Sequence, residues 1–250
     1  MRTWCLFFLL AVLSSAAAHS QTFSCPTGTE DMLNYFVMAY PNRVTNFMGP
    51  GNANPIYSSI SPDYLDSFAQ SGYFVWTKSL NGYPWDVKSF DAQYVYDRTT
   101  ELNWGDPQSF KRFDQDLPIT RRCVKVGKAG ASIKVPATVT SYGYYKSCTK
   151  YQTGALNYIW NTLTAPKLMQ TAGNTGPVST RLFKYHYGCD STYANCQYLE
   201  VFSLGYQIGL YDWKYYTAEN GKWVLQQESS INNLVVGQTT PYLPCTSSYQ

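Results

Sequence analysis

Acidic and aromatic side chains are interleaved in one stretch of this sequence, between residues 85 and 116. The acidic residues there are Asp86, Asp91, Asp97, Glu101, Asp106, Asp114 and Asp116, and the aromatic ones are Trp85, Phe90, Tyr94, Tyr96, Trp104, Phe110 and Phe113. Carboxylates accept hydrogen bonds from sugar hydroxyls, and flat rings pack against the apolar faces of pyranose rings. Ligand sites commonly combine aromatic side chains with a few polar groups. The stretch therefore predicts a carbohydrate-binding surface, with the candidate ligand-binding residues Trp85, Tyr96, Asp97, Glu101, Trp104 and Asp106.

Two other functions fit the same chain. A glycan-cleaving enzyme needs two carboxyl groups a few ångströms apart, and the candidate pairs are Asp97 with Glu101, or Glu200 with Glu228. A non-catalytic extracellular or envelope interaction protein would instead bury these aromatic residues in its core and use segments such as 106–107 as turns. The sequence assigns no catalytic residue and leaves open whether the protein is an enzyme.

Motifs for several other chemistries are absent from the sequence. It has no GxSxG, HExxH, GxxxxGK[ST] or GxGxxG segment and no EF-hand loop. It also has no CxxC pair that would indicate zinc. His186 lies within an alternating strand pattern, where we expect a structural role. We therefore expect neither a cofactor nor a metal ion.

A basic run follows the acidic stretch. Residues 117–189 contain no Asp or Glu, and their basic residues are Arg121, Arg122, Lys125, Lys128, Lys134, Lys146, Lys150, Lys167, Arg181 and Lys184. The run could bind an acidic polysaccharide or another polyanion, or it could fold back against the acidic stretch. Because the net charge of the whole chain is only +3, we do not expect a nucleic-acid partner.

The N-terminus resembles an export signal in its composition. Arg2 precedes an apolar run over residues 4–13, and small residues follow at 16–18 and at Ser20. The run is too short to anchor the chain in a bilayer. We expect a signal peptide at 1–20, a single secreted domain at 21–250 in an extracellular or periplasmic location, and no membrane association after cleavage. The sequence does not define the oligomeric state.

Six cysteines follow the predicted cleavage site: Cys25, Cys123, Cys148, Cys189, Cys196 and Cys245. An even number in an exported chain predicts a set of disulfides. Cys189 and Cys196 enclose a polar, turn-forming segment and are predicted to pair. Cys123 and Cys148 flank a predicted hairpin and form the next candidate pair, which leaves Cys25 with Cys245.

The composition favours sheets, because Tyr, Trp, Thr and Gly are frequent and charged residues make up only 14% of the chain. Helical spacing occurs in three short segments, at residues 27–40, 61–72 and 156–163. Strand patterns cover 73–80, 92–98, 122–126, 133–140, 180–187, 198–208, 210–217, 223–228 and 231–236. We expect an antiparallel β-sandwich, or a partly closed barrel, stapled by disulfides and carrying two or three short peripheral helices.

Three local patterns are specific enough to test. Asn220-Gly221 predicts a tight hairpin, and a second hairpin is predicted between 122–126 and 133–140. Alternation places Phe183, Tyr185 and Tyr187 on one face of their strand. Trp213 and Trp223 are predicted to pack as cross-strand aromatic residues.

Overall fold

The fold is known from a computed structural model. It describes residues 23–36, 43–49, 52–66, 71–77, 84–103, 109–143, 150–170 and 176–236. The strands are β1 Thr29–Asp31, β2 Arg43–Gly49, β3 Asn52–Asp66, β4 Ser71–Thr77, β5 Pro84–Phe90, β6 Tyr94–Asn103, β7 Ser109–Arg121, β8 Cys123–Lys125, β9 Ile133–Gly143, β10 Lys150–Leu163, β11 Lys167–Met169, β12 Val178–Cys189, β13 Cys196–Gly205, β14 Gly209–Glu219 and β15 Lys222–Val236. The one helix in these residues, α1, spans Leu33–Phe36.

The strands form one large antiparallel sheet and one small one. The strand order in the large sheet is β10-β9-β7-β6-β5-β4-β3-β2-β15-β14-β13-β12-β11, and β1 pairs with β8 in the small sheet. An additional pairing between β10 and β12 means that the large sheet curls until strands near its two ends meet. The fold is mainly antiparallel β and sandwich-like, as the sequence predicts.

The core lies on the concave side of the curled sheet, which we call the inner face. Val95, Ile119, Phe183, Phe202 and Leu204 come from four different strands and belong to one buried cluster. A second buried cluster contains Phe113, Leu117, Ala137 and Ile159. Because side chains alternate between faces along a strand, the opposite side of each strand forms the outer face.

The N-terminal segment, residues 23–36, packs against this core. Met32, Tyr35 and Phe36 are fully buried within the first cluster, and the α1 region contacts β13 and β14. The Asn34 carbonyl accepts a hydrogen bond from the Gln207 amide at 2.7 Å. The segment therefore covers the core beside the turn that joins β13 to β14.

Covalent and ionic contacts hold the N-terminal segment in place. Cys25 and Cys123 form a disulfide. Glu30 forms an ion pair with the fully buried Arg181. Asp31 accepts hydrogen bonds from both Nε and Nη2 of Arg122, at 3.1 and 3.0 Å to Oδ2.

The helix predictions are largely wrong. Residues 33–36 form a single helical turn within the predicted 27–40 segment. The predicted helix at 61–72 falls on β3 and β4, and the one at 156–163 falls on β10. Within the described residues, no helix is long and apolar enough to cross a membrane.

The Asn220-Gly221 hairpin is confirmed. It joins β14 to β15, with φ of 50° at Asn220 and 73° at Gly221. These positive values are the ones a two-residue turn between twisted strands requires. The other predicted hairpin is wrong, because β8 pairs with β1 while β9 pairs with β7 and β10.

The disulfide predictions are confirmed for one pair and wrong for the other two pairs. Cys189 and Cys196 are bonded, as predicted. Cys25 bonds to Cys123, which contradicts both the predicted Cys123–Cys148 pair and the predicted Cys25–Cys245 pair. The physical reason is the pairing of β1 with β8, which places Asp31 opposite Cys123, together with the turn at 26–29 that connects Cys25 to β1. Cys148 and Cys245 lie outside the described residues, as do residues 1–22 with the predicted signal peptide.

Candidate functional site

Among the predicted ligand-binding residues, the structure describes the side chains of Tyr96 and Asp97, and these two side chains lie apart. Tyr96 and Asp97 are neighbours on β6 and therefore point to opposite faces. The Tyr96 hydroxyl donates a hydrogen bond to Asp91 Oδ2 at 2.7 Å, and its ring lies 5.8 Å from that of Tyr94. Burial, with a smaller effect of Asp91, raises the pKa of Tyr96. These residues do not form one surface.

Asp97 is a buried structural carboxylate. It is 6% exposed and forms an ion pair with Lys88 Nζ at 2.5 Å across β5 and β6. Lys88 is itself fully buried, so the pair lies inside the protein.

The remaining predicted site residues stay predictions. Trp85 lies in β5 and Glu101 in β6, but their side chains are outside the described part of the structure. Trp104 and Asp106 lie outside the described residues.

The carboxyl pair Glu200 and Glu228 does not converge. Glu200 is opposite Tyr215 and Glu228 is opposite Lys214. Since Tyr215 and Lys214 are consecutive residues of β14, the two glutamates lie on opposite faces. They cannot share one sugar as acid and base.

A different set of residues does converge, on the inner face of β12, β13 and β14. We call it the aromatic ladder and define it as Tyr185, Tyr187, Tyr198, Trp213 and Tyr215. All five side chains are partly buried. Tyr187 is the cross-strand partner of Tyr198, and neighbouring rings contact one another from β12 through β13 to β14.

Neighbouring ring planes in the ladder lie within 30° of parallel. Ring centroids are 4.9 Å apart for Tyr185 and Tyr187, 5.0 Å for Tyr187 and Tyr198, and 6.3 Å for Tyr198 and Tyr215. Trp213 and Tyr215 are 6.5 Å apart with planes 6° from parallel. Such spacings are typical of offset aromatic packing. The ladder therefore forms an ordered wall of aromatic rings.

Glu200 places a carboxylate among these rings. Its Oε2 accepts a hydrogen bond from Trp213 Nε1 at 2.7 Å, and the residue is partly buried. The bond fixes the orientation of both side chains. The result is a half-buried acceptor within a wall of aromatic rings.

The aromatic ladder packs against the buried core: Tyr185 and Trp213 contact the first cluster, and Tyr185 and Tyr187 contact the second. Phe183 is stacked on Phe202 in the core and is 6.4 Å from the ring of Tyr185. Further along the same strands, Tyr187 and Tyr198 lie close to the Cys189–Cys196 disulfide. Tyr198 lies six positions before Leu204 on β13, about 20 Å away at 3.3 Å per residue. Trp213, in contrast, packs against the same cluster as the N-terminal segment.

Sequence reasoning identified parts of this ladder without assembling them. The alternation that places Phe183, Tyr185 and Tyr187 on one face is confirmed. Trp213 and Trp223 do not pair, because Trp213 is opposite Ser229 and Trp223 is opposite Ala218. The missed signal is positional: Tyr187 precedes Cys189 by two residues and Tyr198 follows Cys196 by two, which places the two tyrosines opposite each other once those cysteines pair.

Two arginines of the basic run form structural ion pairs. Arg122 and Arg181 pair with Asp31 and Glu30 of the N-terminal segment. The acidic partners of these two arginines are therefore outside the 86–116 stretch. No group of three or more His, Cys, Asp or Glu side chains in the described residues is placed to hold a metal ion.

Comparison with protein-family models and with curated proteins finds no match for this chain. A solved structure from Bacteroides fragilis, of a protein with a YmcC-like fold, is similar with a TM-score of 0.39 and 10% sequence identity. The similarity covers 80% of this chain and 98% of that one. The fold and site define a disulfide-bonded, antiparallel β protein with an aromatic ladder on its inner face. Its disulfides fit a protein of an oxidising, extracytoplasmic environment.

Proposed function

We propose that this protein is secreted, to an extracellular or periplasmic location, and binds a carbohydrate on the aromatic ladder. The observation that carries the proposal is Glu200, a partly buried carboxylate held by Trp213 among stacked aromatic rings. The proposal keeps the ligand class predicted from the sequence and moves the site from residues 85–106 to the inner face of β12, β13 and β14.

The ligand would make two kinds of contact. Its hydroxyls would donate hydrogen bonds to Glu200 and would both donate hydrogen bonds to tyrosine hydroxyls and accept them from these groups. Its apolar ring face would pack against the outermost ring of the ladder. Preformed aromatic packing favours binding, because fewer side chains lose conformational freedom when the ligand arrives. An oligosaccharide could extend along the ladder across three strands, which are about 4.8 Å apart.

Calorimetric titration of the oxidised protein with neutral oligosaccharides tests this proposal, after a glycan array has selected the ligand. Glu200→Gln keeps an acceptor for Trp213 but removes the charge. Hydrogen bonds to charged groups contribute about 1.5–3 kcal/mol, so we expect affinity to fall roughly 10- to 100-fold. Trp213→Phe removes the Nε1 donor and should weaken binding through the loss of Glu200 orientation.

Trp223→Phe is the matched control, because Trp223 is 40% exposed and lies outside the ladder. It should change affinity less than twofold. Equal losses in Trp213→Phe and Trp223→Phe would contradict the proposed site, and absence of binding to every neutral and acidic glycan at millimolar concentration would contradict the function. An activity assay on each bound glycan decides whether binding is accompanied by cleavage.

A further inference from the structure

A second group of aromatic side chains lies on the outer face of the same strands, apart from the aromatic ladder. Cross-strand pairing places six residues in one line across β9, β10, β12, β13, β14 and β15. In order, these are Lys134, Trp160, His186, Leu199, Tyr216 and Leu225. We call them the outer row. His186 and Leu199 of this row are buried, Trp160 is partly buried, and Lys134 is exposed.

Trp160 is held in a fixed position within the outer row. Its ring stacks on the His186 imidazole with centroids 4.6 Å apart, and its Nε1 donates a hydrogen bond to Ser132 Oγ at 2.6 Å. The His186 Nδ1 is 3.0 Å from the Trp160 carbonyl oxygen. Burial lowers the pKa of His186, so its imidazole is neutral at pH 7. Trp160 is therefore a preorganised aromatic surface.

Lys134 holds a positive charge between two rings. Its Nζ lies 5.4 Å from the Trp160 ring centroid and 5.2 Å from that of Tyr193, and the residue is exposed. Among the described residues, no carboxylate forms an ion pair with Lys134. The cation–π contacts orient the ammonium group and leave it able to accept an anionic partner.

The loop at 190–195 fixes Tyr193, the second ring beside Lys134. Tyr193 has a φ of 61°, and its ring packs edge-on against Tyr158 at 5.6 Å. Asp190 Oδ1 accepts hydrogen bonds from the Thr192 side chain and from the amides of Thr192 and Ala194. The Cys189–Cys196 disulfide closes the loop. The ring is thus held by its own loop and does not need a ligand to order it.

We propose that Lys134, Trp160 and Tyr193 form a second saccharide site, which binds an acidic sugar. The carboxylate of a uronic acid residue would pair with the Lys134 ammonium, and its pyranose ring would pack against Trp160 or Tyr193. Lys184, on the same face as His186, adds to the positive potential. This inference is independent of the aromatic ladder, because none of its residues belongs to that ladder.

Titration of the oxidised full chain with trigalacturonate, with neutral galactotriose as the comparison, tests the inference. Lys134→Met removes the charge but keeps an unbranched side chain. We expect it to weaken trigalacturonate binding about 5- to 10-fold and to leave galactotriose binding unchanged. Lys222→Met, at the exposed first residue of β15, is the matched control and should have less than a twofold effect. Wild-type binding should also weaken as salt rises from 20 to about 150 mM.

Four results would overturn this inference. The first is absence of trigalacturonate binding at low salt, and the second is an equal loss of trigalacturonate affinity in Lys134→Met and Lys222→Met. The third is equal affinity for trigalacturonate and for tetraglutamate, which carries carboxylates without sugar rings. The fourth is a loss of trigalacturonate affinity in Trp213→Phe without any loss in Lys134→Met. The last result would instead support the aromatic ladder as the site for acidic sugars. Failure of the neutral-sugar experiment leaves the Lys134 test valid, so the two proposals can fail separately.

Discussion

Buried ionisable side chains are stabilised in different ways in this protein. Lys88 and Arg181 are each buried with a carboxylate partner, Asp97 and Glu30 respectively. His186 is buried without one and is kept neutral by desolvation. Removing one member of a buried ion pair is costly because the remaining charge stays out of water. This difference leads to two predictions at the scale of single residues.

Glu30→Gln should destabilise the protein strongly. The substitution leaves the Arg181 guanidinium, which is 1% exposed, without its carboxylate. Its Nη1 still donates to the carbonyls of Lys128 and Thr164, but the charge is uncompensated. We expect the free energy of unfolding to fall by about 3 kcal/mol, measured by denaturant titration. Glu219→Gln, at an exposed carboxylate, should change it by less than about 0.5 kcal/mol, and a similar loss in both variants would contradict the assignment.

The stability of the protein should depend on the protonation of His186. Because the folded-state pKa lies below the ordinary value of 6.5, the unfolded chain binds a proton that the folded chain excludes. The stability contribution of the neutral imidazole is therefore fully present above pH 6.5 and is lost as pH falls from 6.5 through the folded-state pKa. We expect the melting temperature of the wild type to drop more between pH 7.5 and 5.5 than that of His186→Gln. Parallel pH profiles for the two proteins would show that His186 does not titrate as the structure requires.

At the scale of secondary-structure elements, the N-terminal segment connects sequence-distant parts of the fold. It joins β8 through a strand pairing and a disulfide, β12 through Glu30, and the core through α1. None of these contacts could be predicted from local patterns, because each links residues about 90 to 150 positions apart.

Removing the Cys25–Cys123 disulfide should therefore loosen this segment and lower the stability of the whole chain. The bridge closes a loop with a sequence separation of 98, for which the chain-entropy model gives about 4.7 kcal/mol, within a typical range of about 2–5 kcal/mol for native bridges. We expect the Cys25→Ser/Cys123→Ser double variant to lose stability in that range by denaturant titration. Peptide mapping of the oxidised wild type should recover the 25–123 and 189–196 links, and recovery of a Cys123–Cys148 peptide would contradict the described pairing.

The mispredicted helix at 156–163 has a physical explanation at this scale. Ile159 and Leu163 face the core on the inner side of β10, while Trp160 belongs to the outer row. When both faces of a strand carry apolar side chains, the alternation that identifies strands is lost, and the spacing resembles that of a helix. The strands that alternate clearly, such as β12, were predicted correctly.

At the scale of the whole molecule, the class of fold could be predicted and its topology could not. Aromatic and β-branched composition with frequent turns is enough to predict an antiparallel sheet. The strand order depends on pairings such as β15 with β2 and β10 with β12. These pairings join segments that are distant in the sequence, so local sequence patterns do not reveal them. The aromatic ladder is therefore recognisable in the sequence only as separate patterns on three strands, whereas the interleaved acidic and aromatic residues of 85–116 form one continuous stretch.

The aromatic ladder as the carbohydrate site is the central claim about this protein. The most direct test is the change in NMR chemical shifts of the oxidised protein when the oligosaccharide selected by the glycan array is added, with side-chain signals assigned. We predict that the largest changes occur at the Trp213 indole N–H and at the rings of Tyr187, Tyr198 and Tyr215, and that Glu200→Gln removes them. Changes confined to residues outside the inner face of β12, β13 and β14, or changes unaffected by Glu200→Gln, would contradict the claim.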